Sequence, residues 1–178
     1  MKKFGIACAL AFIAVPTLAD GFYVAGDLGH VNWDVGDLAT SKTAWGLAAG
    51  YEFSLEFNDT MAVELGYRHL GTLNDGDGSY QYRTEITTPQ ISFTSTHHFT
   101  PQIAAYARLG LARLEMDWRV SDSSGQLDSI SVAKNRAVFG VGGSYTLDEH
   151  LAAYIEYTYL KWEDITLSGP ALGLKYSF

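Results

Sequence analysis

GPALGLKYSF, residues 169–178, decides how this chain is read. From Leu172 every second residue is large and apolar (Leu172, Leu174, Tyr176, Phe178), with Gly173, Lys175 and Ser177 between them. A period of two marks a β-strand with unlike faces. Chain ends ordinarily fray in water. An alternating strand carried to Phe178 therefore points to a terminus held inside a sheet.

The pattern recurs upstream. GFYVAGDLGH (21–30) sets Phe22, Val24, Gly26 and Leu28 against Tyr23, Ala25, Asp27 and Gly29. AWGLAAGYEF (44–53) sets Trp45, Leu47, Ala49, Tyr51 and Phe53 against Gly46, Ala48, Gly50 and Glu52. A third segment opposes Met61, Val63, Leu65 and Tyr67 to Ala62, Glu64, Gly66 and Arg68. The fifth opposes Ile103, Leu109 and Leu111 to Tyr106, Arg108 and Gly110. The sixth opposes Phe139, Val141 and Tyr145 to Arg136, Gly140 and Ser144, and the seventh Ile155, Tyr157 and Tyr159 to Tyr154, Glu156 and Thr158. The terminal strand is the eighth. In the fourth, Tyr80, Tyr82, Thr84 and Ile86 fall on even numbers but Ile91 and Phe93 on odd ones. A bulge at Pro89, which has no N–H for a ladder, is expected to absorb the slip.

The start of the chain gives an address. MKKFGIACALAFIAVPTLAD has Lys2 and Lys3, an apolar run from Phe4 to Val15 and a small-residue exit at Ala19. This is the pattern of a secretory signal peptide: residues 1–19 are expected to be cleaved, leaving one domain, 20–178. Cys8, the sole cysteine, would leave with it. Ten of the twelve bases then remain against twenty acids, a formal charge of −10. Nucleic acid, which demands a basic face, is excluded as a partner.

No later stretch offers 18 consecutive apolar residues for a membrane helix. A closed barrel also spans lipid, because closure pairs every backbone group without water. Its signature is alternating segments of about ten residues. The fold expected is all-β: an eight-stranded antiparallel transmembrane barrel, a meander, about twenty residues per strand and connection. A soluble sandwich alternates too, and charge separates the two readings. On the small-residue face Asp27, Glu52, Glu64, Glu85 and Glu156 are matched by Arg68, Arg83, Arg108, Arg136 and Lys175. Unpaired buried charge is expensive, so such balance fits a closed lumen. Glu64 is expected to pair with Arg108, and Glu52 or Glu156 with Arg136 or Lys175. An eight-strand interior is filled by its own side chains, so the lumen should be plugged.

Connections around SLEFND, HHFTP and LDEH are short, whereas those near 32–43, 71–80, 117–129 and 162–169 are longer. Short turns belong on the periplasmic side, which puts both termini there. Trp45, Tyr80, Tyr82, Tyr159 and Trp162 suggest an upper interfacial girdle, and Phe53, Phe93, Phe99, Tyr145 and Phe178 a lower one.

The stretches MAVELGYRHLG, AAYARLGLA, VGGSYTL, AAYIEYTYL and LGLKYSF resemble the transmembrane domain of the OmpA family and related small outer-membrane barrels. The resemblance implies a Gram-negative outer-membrane location among lipid and lipopolysaccharide. It also implies that Leu172, Leu174, Tyr176 and Phe178 form the signal read by the barrel-assembly machinery. Members often carry a peptidoglycan-binding domain after the barrel; with the sequence stopping at Phe178, that anchoring role is not expected. Of the family's four charged gate positions only Glu64 is matched, the others being Thr94, Ser144 and Tyr154.

Neither catalysis nor a cofactor is expected. His30, His69, His97, His98 and His150 include no His-x-Ser pair on a lipid-facing stretch, and a nucleophile needs a base in reach. The adjacent His97 and His98 point to opposite faces and make a poor metal site. NDGDGS (74–79) lacks full calcium-loop spacing. The functional expectation is a structural and surface-interaction barrel. A narrow ion or small-solute channel and an adhesin for a host surface ligand are the alternatives.

Overall fold

In the computed structural model, residues 21–35, 38–55, 58–76, 80–122, 125–162 and 165–178 are described. The proposed signal segment lies outside them. The chain forms β1 (Gly21–Val35), β2 (Leu38–Ser54), β3 (Asp59–Gly76), β4 (Tyr80–His98), β5 (Ile103–Asp122), β6 (Gly125–Thr146), β7 (Leu151–Trp162) and β8 (Ile165–Ser177). Each strand pairs antiparallel with the next, and β8 closes on β1 from Tyr23–Ser177 to Val35–Ile165. The final strand is thus held on both sides, as its alternation requires.

At the end that carries the termini the strands are joined by connections of only four residues (55–58, 99–102 and 147–150), residues 56 and 57 lying outside the described ones. The Asp148 carboxylate fixes the last of these by accepting from the His150 and Leu151 amides. At the other end, the hairpin end, stretches expected as loops are mostly ladder: β5 runs on to Asp122 and β6 starts at Gly125. A membrane crossing takes about 9–11 strand residues, and β4, β5 and β6 have 19, 20 and 22. The barrel wall therefore continues well beyond its apolar belt.

That belt is complete. Leu28, Leu47, Leu65, Phe93, Leu109, Val141, Ile155 and Leu172, one from each strand, are all exposed. An apolar band running around the whole molecule is far larger than water tolerates. Phe53, Phe93, Phe99, Tyr145 and Phe178 are exposed toward the terminal end, and Trp45 and Tyr159 toward the hairpin end. Two expected girdle members belong elsewhere. Trp162 is buried in the interior, and the Tyr82 ring stacks on Trp118 at 6.2 Å. The side chain of Tyr80 is outside the description.

Pro89 carries no bulge. Even-numbered side chains of β4 face inward throughout, from Ile86 and Thr88 to Ser92 and Thr94. The β4–β5 register is the same at Thr87–Glu115 as at Gln90–Ala112. The extra residue sits on β3 instead, where the register shifts between His69 and Thr72. Gly71 takes a φ of +114° there, a value glycine adopts without a Cβ penalty. The slip reverses the phase of β3, so Leu70 and Leu73 both join the core.

What changes along β4 is the interior itself. At the hairpin end the lumen is a packed apolar layer: Val31 and Trp33 of β1, Ala44 of β2, Leu70 of β3, Ile86 of β4, Leu114 of β5, Val138 of β6, Leu160 and Trp162 of β7, and Leu167 of β8. Here the wall also divides. Pairing of β2 with β3 stops at Trp45–His69, and that of β6 with β7 at Val138–Leu160. Beyond those rungs β7-β8-β1-β2 and β3-β4-β5-β6 are two four-stranded sheets that pack through this layer, as the sheets of a sandwich do. The Trp33 indole N–H donates to the Leu70 carbonyl at 3.0 Å, linking the two.

Candidate functional site: a layered lumen

Toward the terminal end, below the apolar layer, the interior is ionic. Arg108 donates from Nη1 to Glu64 and from Nε to Glu156 Oε2 at 2.8 Å. Arg68 donates from Nη2 to Asp27 Oδ1 at 2.6 Å and from Nη1 to Glu156 Oε1 at 3.4 Å. The side chains of Glu64 and Glu156 are each 3% exposed. One continuous cluster thus joins β1, β3, β5 and β7 across the lumen. A separate pair, Lys175 Nζ to Glu52 Oε2 at 2.8 Å, ties β8 to β2, with the ammonium 5.0 Å above the Tyr23 ring.

Three carboxylates against two guanidiniums leave the cluster one negative charge in excess. Hydroxyl donors offset it: Thr94 donates to Glu64 at 2.6 Å, Thr158 to Glu156 at 3.2 Å and Tyr154 to Asp27 at 3.3 Å. Each of the three carboxylates thus has a neutral hydroxyl donor beside its guanidinium partner. Thr94 and Tyr154 stand where the OmpA resemblance places charged gate residues, and in this chain they serve as neutral donors.

Glycine makes the width work. Tyr23, Tyr106 and Tyr154 lie opposite Gly50, Gly142 and Gly173 of the neighbouring strands. A Cβ at any of the three would sit within 2.5 Å of the facing tyrosine ring. The glycines in the lumen windows are thus the floor on which the large polar rings rest.

Of the ten charged residues expected on the lumen face, seven meet in this layer: Asp27, Glu52, Glu64, Arg68, Arg108, Glu156 and Lys175. Arg136 is set apart. It stands opposite Ala112, four residues beyond Gly140 along β6, about 13 Å toward the hairpin end. Its Nη1 donates to the Asn135 carbonyl at 2.9 Å. Arg83 and Glu85 leave the lumen altogether: they face outward, 3.5 Å apart, and Glu85 also lies 3.5 Å from His69. The cause is the position of the slip, which lies on β3 and not at Pro89 of β4. Sequence reasoning missed the apolar layer, although Val31, Trp33, Leu160 and Trp162 continue the inward phase of Asp27 and Glu156 without a break.

The histidines hold the frame. His97 Nδ1 lies 2.6 Å from Asp59, and His150 Nδ1 lies 3.0 Å from the Ser177 carbonyl. Among the described residues no three His, Cys, Asp or Glu side chains converge as metal ligands. The second half of NDGDGS, residues 77–79, lies outside the described residues, as do the side chains of its first half. Leu172, Leu174, Tyr176 and Phe178 all face outward on the β8 wall.

Comparison with known proteins agrees with this architecture. Outer membrane protein P5 of Haemophilus influenzae is 25% identical over 181 residues, covering 90% of this chain and 51% of that protein. The chain therefore spans about half the length of that relative. The attachment invasion locus protein Ail of Yersinia pestis, solved with the heparin analogue sucrose octasulfate, superposes with a TM-score of 0.67 at 13% identity, covering 90% of this chain and all of Ail. Neisserial surface protein A gives 0.63 at 16% identity, covering 91% of this chain and all of that one. Both likenesses concern the fold. The outer membrane protein beta-barrel domain matches residues 5–178, and the chain belongs to that family of Gram-negative outer-membrane barrels.

Proposed function

We propose that this barrel is a sealed element of the outer-membrane wall that presents its hairpin end to the outside, with neither a pore nor a catalytic centre. The observation that carries the reading is the lumen: an ion-paired layer and an apolar layer lie in series along one axis, the second with side chains from all eight strands. Water and ions avoid a packed apolar constriction. Four-residue turns at the terminal end favour a periplasmic position for both termini, and the extended hairpins then face lipopolysaccharide and the surroundings. The outward row Leu172, Leu174, Tyr176 and Phe178 is available to the assembly machinery before closure on β1.

In planar lipid bilayers the protein is expected to give no single-channel steps, and Glu64→Ala is expected to stay silent because the apolar layer still blocks the axis. Reproducible steps that change with Glu64→Ala would establish the channel alternative instead.

A surface-binding role has its own support. Ile130 and Val132 are exposed on β6, on the stretch beyond its last rung with β7, away from the apolar belt. Ail, of the same fold, holds a sulfated sugar analogue in its own structure; a host surface ligand for this chain is a proposal. Deleting residues 119–129 should abolish host-cell binding while the barrel still shifts in mobility on boiling.

A further inference from the structure

Gly26 has no part in the lumen. It stands on the outward row of β1 between Val24 and Leu28, and its ladder partners, Leu47 of β2 and Leu174 of β8, are exposed on the same apolar belt. The glycines opposite Tyr23, Tyr106 and Tyr154 are required, because a Cβ there would strike a ring. At Gly26 a Cβ would meet only the tip of Leu47, at 3.3 Å, and the Gly46 carbonyl at 3.7 Å. Its backbone makes no demand either, since among the described glycines only Gly71 has a positive φ. A glycine inside a strand weakens it and often marks the close approach of a ligand.

The space beside Gly26 is a groove of about 370 Å³ in the outer wall, lined by Val24, Gly26, Leu47, Leu174, Tyr176 and Leu151. Of these six only Tyr176 carries a polar atom in its side chain. The groove runs from Leu47 to Leu151, the first residue after the connection 147–150, and so occupies the half of the belt nearer the termini. An apolar groove that opens onto the membrane interior takes hydrocarbon.

We propose that the groove binds one acyl chain of a phospholipid in the leaflet at the terminal end. Leu47, Leu174 and Tyr176 flank the chain, and the missing side chain of Gly26 lets it lie against the β1 backbone. That this leaflet is the periplasmic one rests on the orientation proposed above, and an inverted topology would rename the leaflet without changing the binding.

The test folds the barrel into vesicles of phosphatidylethanolamine and lipopolysaccharide, extracts it into detergent, washes it and weighs it intact by native mass spectrometry. The unmodified protein should keep a single phospholipid through the wash, and Gly26→Leu, whose side chain fills the groove, should lose it. If Gly26→Leu does not migrate as a folded barrel before boiling, Gly26→Val takes its place. A bare unmodified barrel overturns the proposal, as does a phospholipid kept equally by the filled variant. Retention of lipopolysaccharide alone, or a lipid-free mass of two chains that Gly26→Leu abolishes, gives the groove another occupant and also overturns it.

Discussion

Replacing Arg108 with methionine is expected to lower the stability of the folded barrel by about 3–5 kcal/mol, the usual cost of breaking a buried ion pair from one side. Arg108 is bonded to both Glu64 and Glu156, whose side chains are 3% exposed. Once it is gone, Glu64 keeps Thr94 and Glu156 keeps Thr158 and the 3.4 Å contact to Arg68. The cluster then carries two unmatched negative charges instead of one. Adding Glu64→Gln restores the original excess of one, so the double variant should recover about 1–3 kcal/mol through coupling. Urea titration of the protein folded into lipid vesicles, followed by tryptophan fluorescence, measures both quantities. A loss below about 1 kcal/mol in the single variant, the range of exposed pairs, would mean that the two carboxylates reach water.

Leu114→Ala and Leu109→Ala, two truncations on one strand, should differ by about 2 kcal/mol or more. Leu109 faces outward and is 55% exposed, whereas Leu114 is fully buried in the apolar layer. Truncating Leu109 forfeits the transfer of roughly three carbons, about 2 kcal/mol at 0.8 per methylene, because lipid flows into the space. Truncating Leu114 also leaves a cavity among Ile86, Val138 and their neighbours, which raises the loss to about 4–5 kcal/mol. The same titration compares them. Equal losses would show that the hairpin-end interior is loosely filled or wet, and the seal would lose its basis.

The lipid-facing wall was legible because alternation has a period of two whatever the neighbours do. Leu28, Leu47, Leu65, Leu109 and Leu172 lie where the segments place them. The pair Glu64–Arg108 was legible as well. The partners of Arg68 were not: Asp27 and Glu156 reach it from β1 and β7 across the lumen, and spacing fixes only the inward face of each residue, so it does not choose among several inward acids. The apolar layer was hidden by the assumption that a lumen is polar along its whole length. Along β4, Ile86 and Thr94 keep one phase while the environment changes from dry to ionic, and that change imitates a slip at Pro89. The true slip, at Gly71, falls between Leu70 and Leu73, two leucines three apart in a strand. Such spacing cannot put both on one face without an extra residue, and this was the available clue.

Both the inverted wall and the two-layered lumen can be read along β5 by a spin-label scan of the barrel, residues 20–178, in lipid bilayers, with single cysteines at 104, 107, 109, 111, 112, 114 and 116. Labels at 107, 109 and 111 should collide readily with oxygen dissolved in the membrane. Labels at 104 and 112 should be shielded from it, and those at 114 and 116 should be shielded from both oxygen and a water-soluble relaxer. Even-numbered sites open to oxygen, a reversal of phase between 112 and 116, or ready access of the water-soluble relaxer to 114 would contradict the structure described above.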